Sequence, residues 1–578
     1  MKDQKTNSGR SRFGWWIFLL ALVAINIIAV FFHQRIDLTS EKRYTLSQPT
    51  KNLLLSLDAP TRIDVFLKGE FPAGFKKLAN SVQEFLQECQ EYAGGNLEIR
   101  YLEPFKGLDD SAAAYLADSL QYFYGLQAST LQAPGKVGDA ISFKQVIPGA
   151  LIHYKDTTVG VNLLKGVRSY GTEPEQLAAL YNDVEATLEY KFASALQKAT
   201  AEKRPLVGYV VGNGESWGYN VDDALRTLIR EYRFDTINLQ TDRFIPSVFD
   251  ALVMVKPTIP FTEDQKLKLD QYLMRGGKLF CMIDNLYDGF DSLYNKDGFI
   301  AYDRGLNIED MLFRYGVRIN QALLQDMQSD KLPQVSGQAG QQQQTRLVDW
   351  PIFPVLNGTK HPISKNIDGV RMMFPSTVDT VTAEGVDKTI LLQSSANARV
   401  IPTPERVSFD FFQIAPDIKE FNKQYVPMAV LLEGKFRSLF ANRLPRAMAD
   451  TLARLYNTPF RAEAEPGAKL IVVGDGDLPM SQVSQTDGPL PMGMNLFTRV
   501  PYANKDFYEN ALDYLVNPSG ILETRAKDYT LRLLDPKKVE AKKGMWQAIN
   551  VAIPVLLVLA FAFIYQRVRK GKYGKREA

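Results

Sequence analysis

Three stretches of the chain hold residue types at spacings that support chemistry. The first is Gly214-Glu215-Ser216-Trp217-Gly218, a G-x-S-x-G pattern behind the apolar run LVGYVVG. A sharp strand-to-helix turn of this kind exposes a serine oxygen, and a carboxylate and then a histidine later in the chain activate it. Asp284 and His361 stand in that order. Against a serine hydrolase, Gly212 and Asn213 put a loop between strand and Ser216, Pro362 follows His361, and no histidine lies farther downstream. The same turn, Gly212-Asn213-Gly214, is also compared with phosphate-cradling loops. G-x-G-x-x-G requires glycine where the chain has Trp217, and the chain contains no G-x-x-x-x-G-K-S/T. Nucleotide binding is not expected, so any ATP must be hydrolysed by another polypeptide.

The third stretch is GDGDL, behind the apolar run KLIVV. Open α/β sheets hold ligands outside the carboxyl ends of their strands. Asp475 and Asp477, with Asn213 and Glu215, are therefore the candidate ligand-binding residues. No third carboxylate ligand is evident from spacing, and 2 Cys with 3 His cannot fill several metal sites. No metal, cofactor or catalytic residue is expected. Cys281 lies inside the strand-like run KLFCMI, whereas a Cys-His-Glu amidotransferase needs its thiol at a strand-to-helix turn. His153 on a β-like run and His33 beside an apolar segment read as structural.

The elements that would position these residues are of α/β type. Arg62 to Lys68 alternates like a strand, Lys77 to Tyr92 is an amphipathic helix, and Leu97 to Leu102 is a second strand. ISFKQVI, ALIHYKD and TVGVNLL follow as β-like pieces, then a long helix from about Glu175 to Ala199. From Pro205 a second series begins: LVGYVVG, VDDALRTLIREY, DTINL, ALVMVKP, a helix from Thr262 to Met274 stopped by Gly276-Gly277, and KLFCMID. Apolar strands alternating with helices indicate a mostly parallel sheet covered on both faces. The pattern returns in AKLIVVGDGDL and in NKDFYENALDYLV, a helix with Asn504 as its expected cap. Between Leu323 and Ala464 periodicity is weak, and the low-complexity QVSGQAGQQQQT, an insertion near 330–345, reads as a loop.

The ends differ from the middle. Trp15 to Phe32 and Met545 to Tyr565 carry no charge and are long enough to cross a bilayer as helices, the second with Pro554 inside it. A cleaved signal peptide competes for the first run, but no small-x-small site follows Phe32. The formal net charge is +3. Removing two basic tails and the Lys537–Lys543 run leaves about −8 for residues 13–535. An acidic body argues against a nucleic-acid partner. The basic tails put both termini in the cytoplasm. The expected layout is a cytoplasmic tail (1–14), a transmembrane helix (15–32), a first periplasmic α/β domain (33–202), a second (203–522), a linker (523–544), a transmembrane helix (545–565) and a cytoplasmic tail (566–578).

Several short motifs, taken in order, carry a resemblance. They are Asp37-Leu38-Thr39, Arg43-Tyr44-Thr45-Leu46-Ser47, Gly212-Asn213-Gly214-Glu215, Gly276-Gly277-Lys278-Leu279, His361-Pro362-Ile363, Val473-Gly474-Asp475 and Asn504-Lys505-Asp506-Phe507. With the two-anchor layout they make the chain resemble the auxiliary proteins of an uncharacterised ABC transport system, in particular its gliding-motility members. The resemblance implies a non-catalytic subunit in the bacterial inner membrane beside a GldF-like permease and a cytoplasmic GldA-like ATPase, in two copies per complex by analogy. It also implies an amidotransferase-like second domain without the nucleophile. Asn213 stands where the family usually has histidine. The competing functions are a membrane-tethered hydrolase using Ser216 and an envelope or polysaccharide-binding module.

Overall fold

Ser47 accepts a hydrogen bond from the Thr50 backbone N–H, and with Pro49 in the first turn it starts helix α1, Gln48–Leu55. In this computed structural model residues 45–526 and 536–573 are described, except 72, 133–142, 165–173, 290–292, 294–297, 340–341, 410–416, most of 446–458 and 518–519; residues 16 and 19–24 are also described. After α1 come strand β1 (Thr61–Val65), helix α2 (Ala73–Ala93), β2 (Leu97–Tyr101), helix α3 (Asp110–Tyr124), β3 (Gly149–Tyr154), β4 (Thr157–Asn162) and the long α4 (Pro174–Thr200). The four strands form one sheet in the order β2-β1-β3-β4, with β1 parallel to β2 and the other pairings antiparallel. Ile63, Val65, Ile152 and Val161 pack with α1, α2 and α4 in one apolar core. Helix α3 escapes the periodicity reading because three consecutive alanines dilute its apolar stripe. Its ends are nevertheless marked, by the Asp109 side chain accepting from Ala112 N at 2.7 Å and by Gly125 at φ +68°.

The second sheet is built on β5 (Leu206–Val211), β6 (Arg233–Asn238), β7 (Ala251–Val255), β8 (Lys278–Met282), β9 (Ser329–Ala339), β10 (Gln342–Gly358), β11 (Val386–Gln393), β12 (Pro427–Gly434) and β13 (Lys469–Val473). Its order is β9-β10-β11-β12-β13-β8-β7-β5-β6. The segment β13-β8-β7-β5-β6 is parallel, and β12 through β9 extend it antiparallel. The sheet is thus mixed rather than mostly parallel. The region from 323 to 464, expected to be irregular, supplies its antiparallel half and a separate three-stranded sheet of Val317–Asp326, Ser376–Thr380 and Ala398–Pro402. The Gln-rich insertion is not a loop but a hairpin, with Gln334 opposite Arg346 and Gln338 opposite Gln343. Backbone pairing holds this ribbon, and backbone pairing leaves no side-chain periodicity to read.

Both faces of the parallel segment are covered. Val207, Tyr209, Val253 and Phe280 pack against α5 (Asp222–Glu231) and α7 (Asn504–Val516). Leu252, Met254, Leu279 and Val472 pack against α6 (Glu263–Met274), which is buried from Gln265 to Met274. Thr262 and Gln265 form the capping box that starts α6. Asn504 is not the cap of α7, which is Ala503; its amide instead donates to the Arg371 and Leu478 carbonyls at 2.8 and 2.9 Å.

The two sheets lie in one compact unit, Met1–Asp528, and Tyr529–Ala578 forms another. Within the first, Tyr190 of α4 donates to Asn510 of α7 at 3.2 Å, and Lys198 pairs with Asp513 at 3.3 Å. The second unit contains α8 (Pro536–Tyr573), whose stretch Gly544–Lys570 is long and apolar enough to cross a membrane. The first apolar run lies largely outside the described residues; 16 and 19–24 of it are helical. Cys89 and Cys281 are free thiols, both buried.

Candidate functional site

In the parallel segment the chain runs from β5 to β6 on one side and then to β7 on the other. That reversal creates the crevice in which open α/β sheets hold ligands. Here the loops themselves fill it. Gly212 and Gly214 adopt φ +117° and +73°, and a Cβ on Gly214 would lie 2.2 Å from Thr258 Oγ1, so the turn after β5 presses against the loop after β7. Asn213 is fully buried. Its carbonyl accepts from Thr258 N and Ile259 N, both at 2.8 Å. Its amide donates to Gln265 Oε1 at 3.0 Å, tying the turn to the capping box of α6. Glu215 Oε2 accepts from Asn213 N at 2.7 Å, and burial pushes this carboxyl up to about 7 against the hydrogen bonds it receives.

Ser216 is held by its backbone: its N–H donates to the Val255 carbonyl at 3.1 Å, and its carbonyl accepts from Tyr209 Oη at 2.6 Å. Its hydroxyl faces Met480 Sδ at 3.8 Å. His361 Nδ1 accepts from Ile363 N at 3.3 Å, and its ring meets the edge of Tyr514 at 5.0 Å. Asp284 is paired with Lys256. The three residues in hydrolase order thus occupy three different hydrogen-bonded settings.

One cluster does form, across the ends of three adjacent strands. Lys256 follows β7 with φ +49°, Asp284 follows β8, and Gly474-Asp475-Gly476-Asp477 follows β13. Lys256 Nζ lies 2.9 Å from Asp284, 2.6 Å from Asp288 and 2.5 Å from Asp477. It donates hydrogen bonds to Asp288 and Asp477, while Asp284 Oδ2 is an ion-pair neighbour that receives no hydrogen bond. Arg304 holds the other oxygen of Asp288 at 2.9 Å. Asp475 accepts from Met373 N at 2.7 Å and Asp477 N at 2.6 Å. The glycines are steric requirements. A Cβ on Gly474 would lie 2.1 Å from the Ser376 carbonyl, and one on Gly476 would lie 2.7 Å from Lys256 Cβ.

The electrostatics follow from burial. Asp477 is pushed up to about 8 by desolvation, with Lys256 opposing. Asp475 and Asp284 are raised for the same first reason. At Asp288 burial is outweighed by Lys256 and Arg304, and its carboxyl is lowered. The Lys256 ammonium, penalised by burial, is raised well above its usual range by Asp284, Asp477 and Asp288. Asp284, Asp288 and Asp477 bring ligand oxygens within 4.8 Å of one another, close enough for a metal ion. The ammonium occupies that centre, so a metal would have to displace the lysine.

Of the residues singled out from sequence, Asp475 and Asp477 belong to this cluster, while Asn213 and Glu215 belong to the crevice-closing turn. Lys256, Asp288 and Arg304 were not singled out, and Asp284 was considered only as a triad acid. A signal for two of them is present: Lys256 is the first charge after ALVMV, and Asp284 the first after KLFCMI.

A family model described as ABC-type uncharacterized transport system matches residues 204–511. A domain of unknown function, DUF7088, matches residues 40–153. No curated protein matches the chain. Among solved structures, the mmIFT52 N-terminal domain aligns over 54% of this chain and 97% of its own at 12% identity, with a TM-score of 0.29.

Proposed function

The chain belongs to the ABC-type uncharacterized transport system family, and on that premise we propose that it is a non-catalytic, membrane-anchored accessory subunit of an ABC transporter. The family match over residues 204–511, the segment that builds the mixed sheet, is the observation that carries this reading. Lys256 supports it: the carboxylates at the strand ends are held by an internal ammonium, and the crevice at the strand reversal is closed by its own loops. A site filled from within suits a domain that presents a surface to its neighbours rather than turning over a substrate.

In this reading α8 packs beside a permease, a cytoplasmic ATPase supplies the energy, and the sheets project into the periplasm between two spans with both termini in the cytoplasm. The finer assignment is to the GldG type of bacterial gliding motility, with a GldF-like permease, a GldA-like ATPase and two copies per complex. The motif order from Asp37-Leu38-Thr39 to Asn504-Lys505-Asp506-Phe507 supports it. Exchanging Met545–Tyr565 for an unrelated apolar helix of equal length tests the packing role. Loss of permease association with the chain still in the membrane supports it; unchanged gliding with no permease association in either form favours an envelope-binding module on a passive anchor.

A further inference from the structure

A strand at the end of a sheet bares a row of backbone donors and acceptors that pair with another chain unless something occupies them. Two such strands are treated differently here. Strand β6 ends the mixed sheet, and carboxylates from its own segment occupy its outer N–H groups. Thr236 N donates to Asp235 Oδ1 at 2.8 Å, and Asn238 N donates to Asp242 Oδ2 at 2.7 Å. Strand β2 ends the four-stranded sheet. Leu102 N donates to the Val65 carbonyl, so the alternate residues Leu97, Ile99 and Tyr101 turn their N–H and C=O groups away from β1. The Leu97 carbonyl accepts from Gln90 Nε2 at 3.0 Å. Among the described residues nothing bonds the outer groups of Ile99 and Tyr101. The strand has neither a proline nor a bulge.

The side chains of β2 are self-complementary. In Leu97-Glu98-Ile99-Arg100-Tyr101, Glu98 and Arg100 are exposed on the face away from the apolar core and lie 2.7 Å apart. An antiparallel pairing of two copies centred on Ile99 sets Ile99 against its counterpart, Leu97 against Tyr101, and Glu98 against Arg100 twice over. Ile99, with its backbone turned outward, forms the hydrogen-bonded pair. Glu98 and Arg100 then fall at non-hydrogen-bonded positions, where facing side chains come closest. Centring the pairing on either neighbour instead opposes like charges, so the register is specified. Ile99 and Tyr101 are only partly buried against the core of their own sheet, and the same pairing covers them further.

We propose that β2 is a homodimer edge, taken up by β2 of a second copy of this chain so that the two four-stranded sheets become one. The inference rests on the accessory-subunit reading in one respect. Five residues a side make a small interface, and anchoring both copies in one membrane complex supplies the local concentration that holds it.

The test uses full-length chains in native membranes. Cys89 and Cys281 are buried, so oxidative cross-linking reads an introduced cysteine. Ile99→Cys should give a disulfide-linked dimer, because facing Cα atoms of such a pair stand about 5.5 Å apart. Thr236→Cys, on the protected edge, should not. In the Ile99→Cys background, Glu98→Arg or Arg100→Glu alone sets like charges opposite each other and should cut the dimer yield at least fivefold. Co-expressed, those two chains carry opposite charges between copies while each strand carries like charges within itself. A mixed dimer at the yield of Ile99→Cys alone is expected, and its recovery shows that both variants fold. No cross-link at position 99, equal cross-linking through Thr236→Cys, undiminished yield from the charge variants alone, or failure of the mixed pair with both chains in the membrane overturns the proposal. Co-purification of a permease with chains that do not cross-link distinguishes that failure from failure of the accessory-subunit reading.

Discussion

The ammonium of Lys256 lies 2.9 Å from the carboxylate of Asp284, although 28 positions separate them and their strands, β7 and β8, run side by side. The parallel pairing brings both residues to the same end of the sheet. Once there, Asp284 depends on Lys256 for its counter-ion, whereas Lys256 is shared with Asp288 and Asp477 as well.

Lys256→Met therefore leaves Asp284, Asp288 and Asp477 facing one another. Removing one member of a buried ion cluster costs about 3–5 kcal/mol. Urea denaturation of the chain should show a loss of that order, and Lys256→Met combined with Asp477→Asn should regain part of it. A loss below about 1 kcal/mol would mean that the cluster is hydrated and that its lysine is not the internal cation described above.

Glu215 provides a pH dependence with a definite sign. Its carboxyl titrates at about 7 in the folded chain, above its ordinary value near 4.3 when unfolded. The protonated group's contribution is fully present below the unfolded value and is lost as pH rises through about 7. Glu215→Gln stays uncharged and keeps an oxygen for the Asn213 N–H. Denaturation at pH 5, 6, 7 and 8 should show the variant gaining on the parent as pH rises, by no more than about 1.4 kcal/mol per unit, and levelling above 7. A constant difference would place Glu215 in water.

Much of the parallel framework is legible in the sequence. ALVMV, KLFCM and KLIVV are continuous apolar runs because their strands are covered on both faces, and the charged residues that end them mark the functional edge. What pairs with those charges is not legible, since Lys256 and Asp477 meet only after the chain has built β8 through β12 and inserted β13 beside β8. The antiparallel half was missed for another reason. Strand β11 is half exposed along Lys388 to Ile390, and the Gln- and Gly-rich tip of the β9–β10 ribbon, where Gln334 faces Arg346 and Gln338 faces Gln343, is defined by its backbone pairing. Asn504 shows the same limit at one residue: its type fits a cap, but its amide bridges Arg371 and Leu478.

Ser216 offers a direct check on the proposal that the chain is non-catalytic. Its hydroxyl contacts a thioether rather than a base, and an unactivated serine does not react with fluorophosphonates. The full-length chain should remain unlabelled, as should Ser216→Ala. Labelling of the parent that disappears in the variant would establish a serine hydrolase.

The accessory-subunit claim is tested most directly by recovering the tagged full-length chain from native membranes in mild detergent and identifying its partners by mass spectrometry. The account predicts an ABC permease and its ATPase in constant proportion to the chain. Recovery of the chain alone, from cells in which the permease and ATPase assemble without it, would contradict the account.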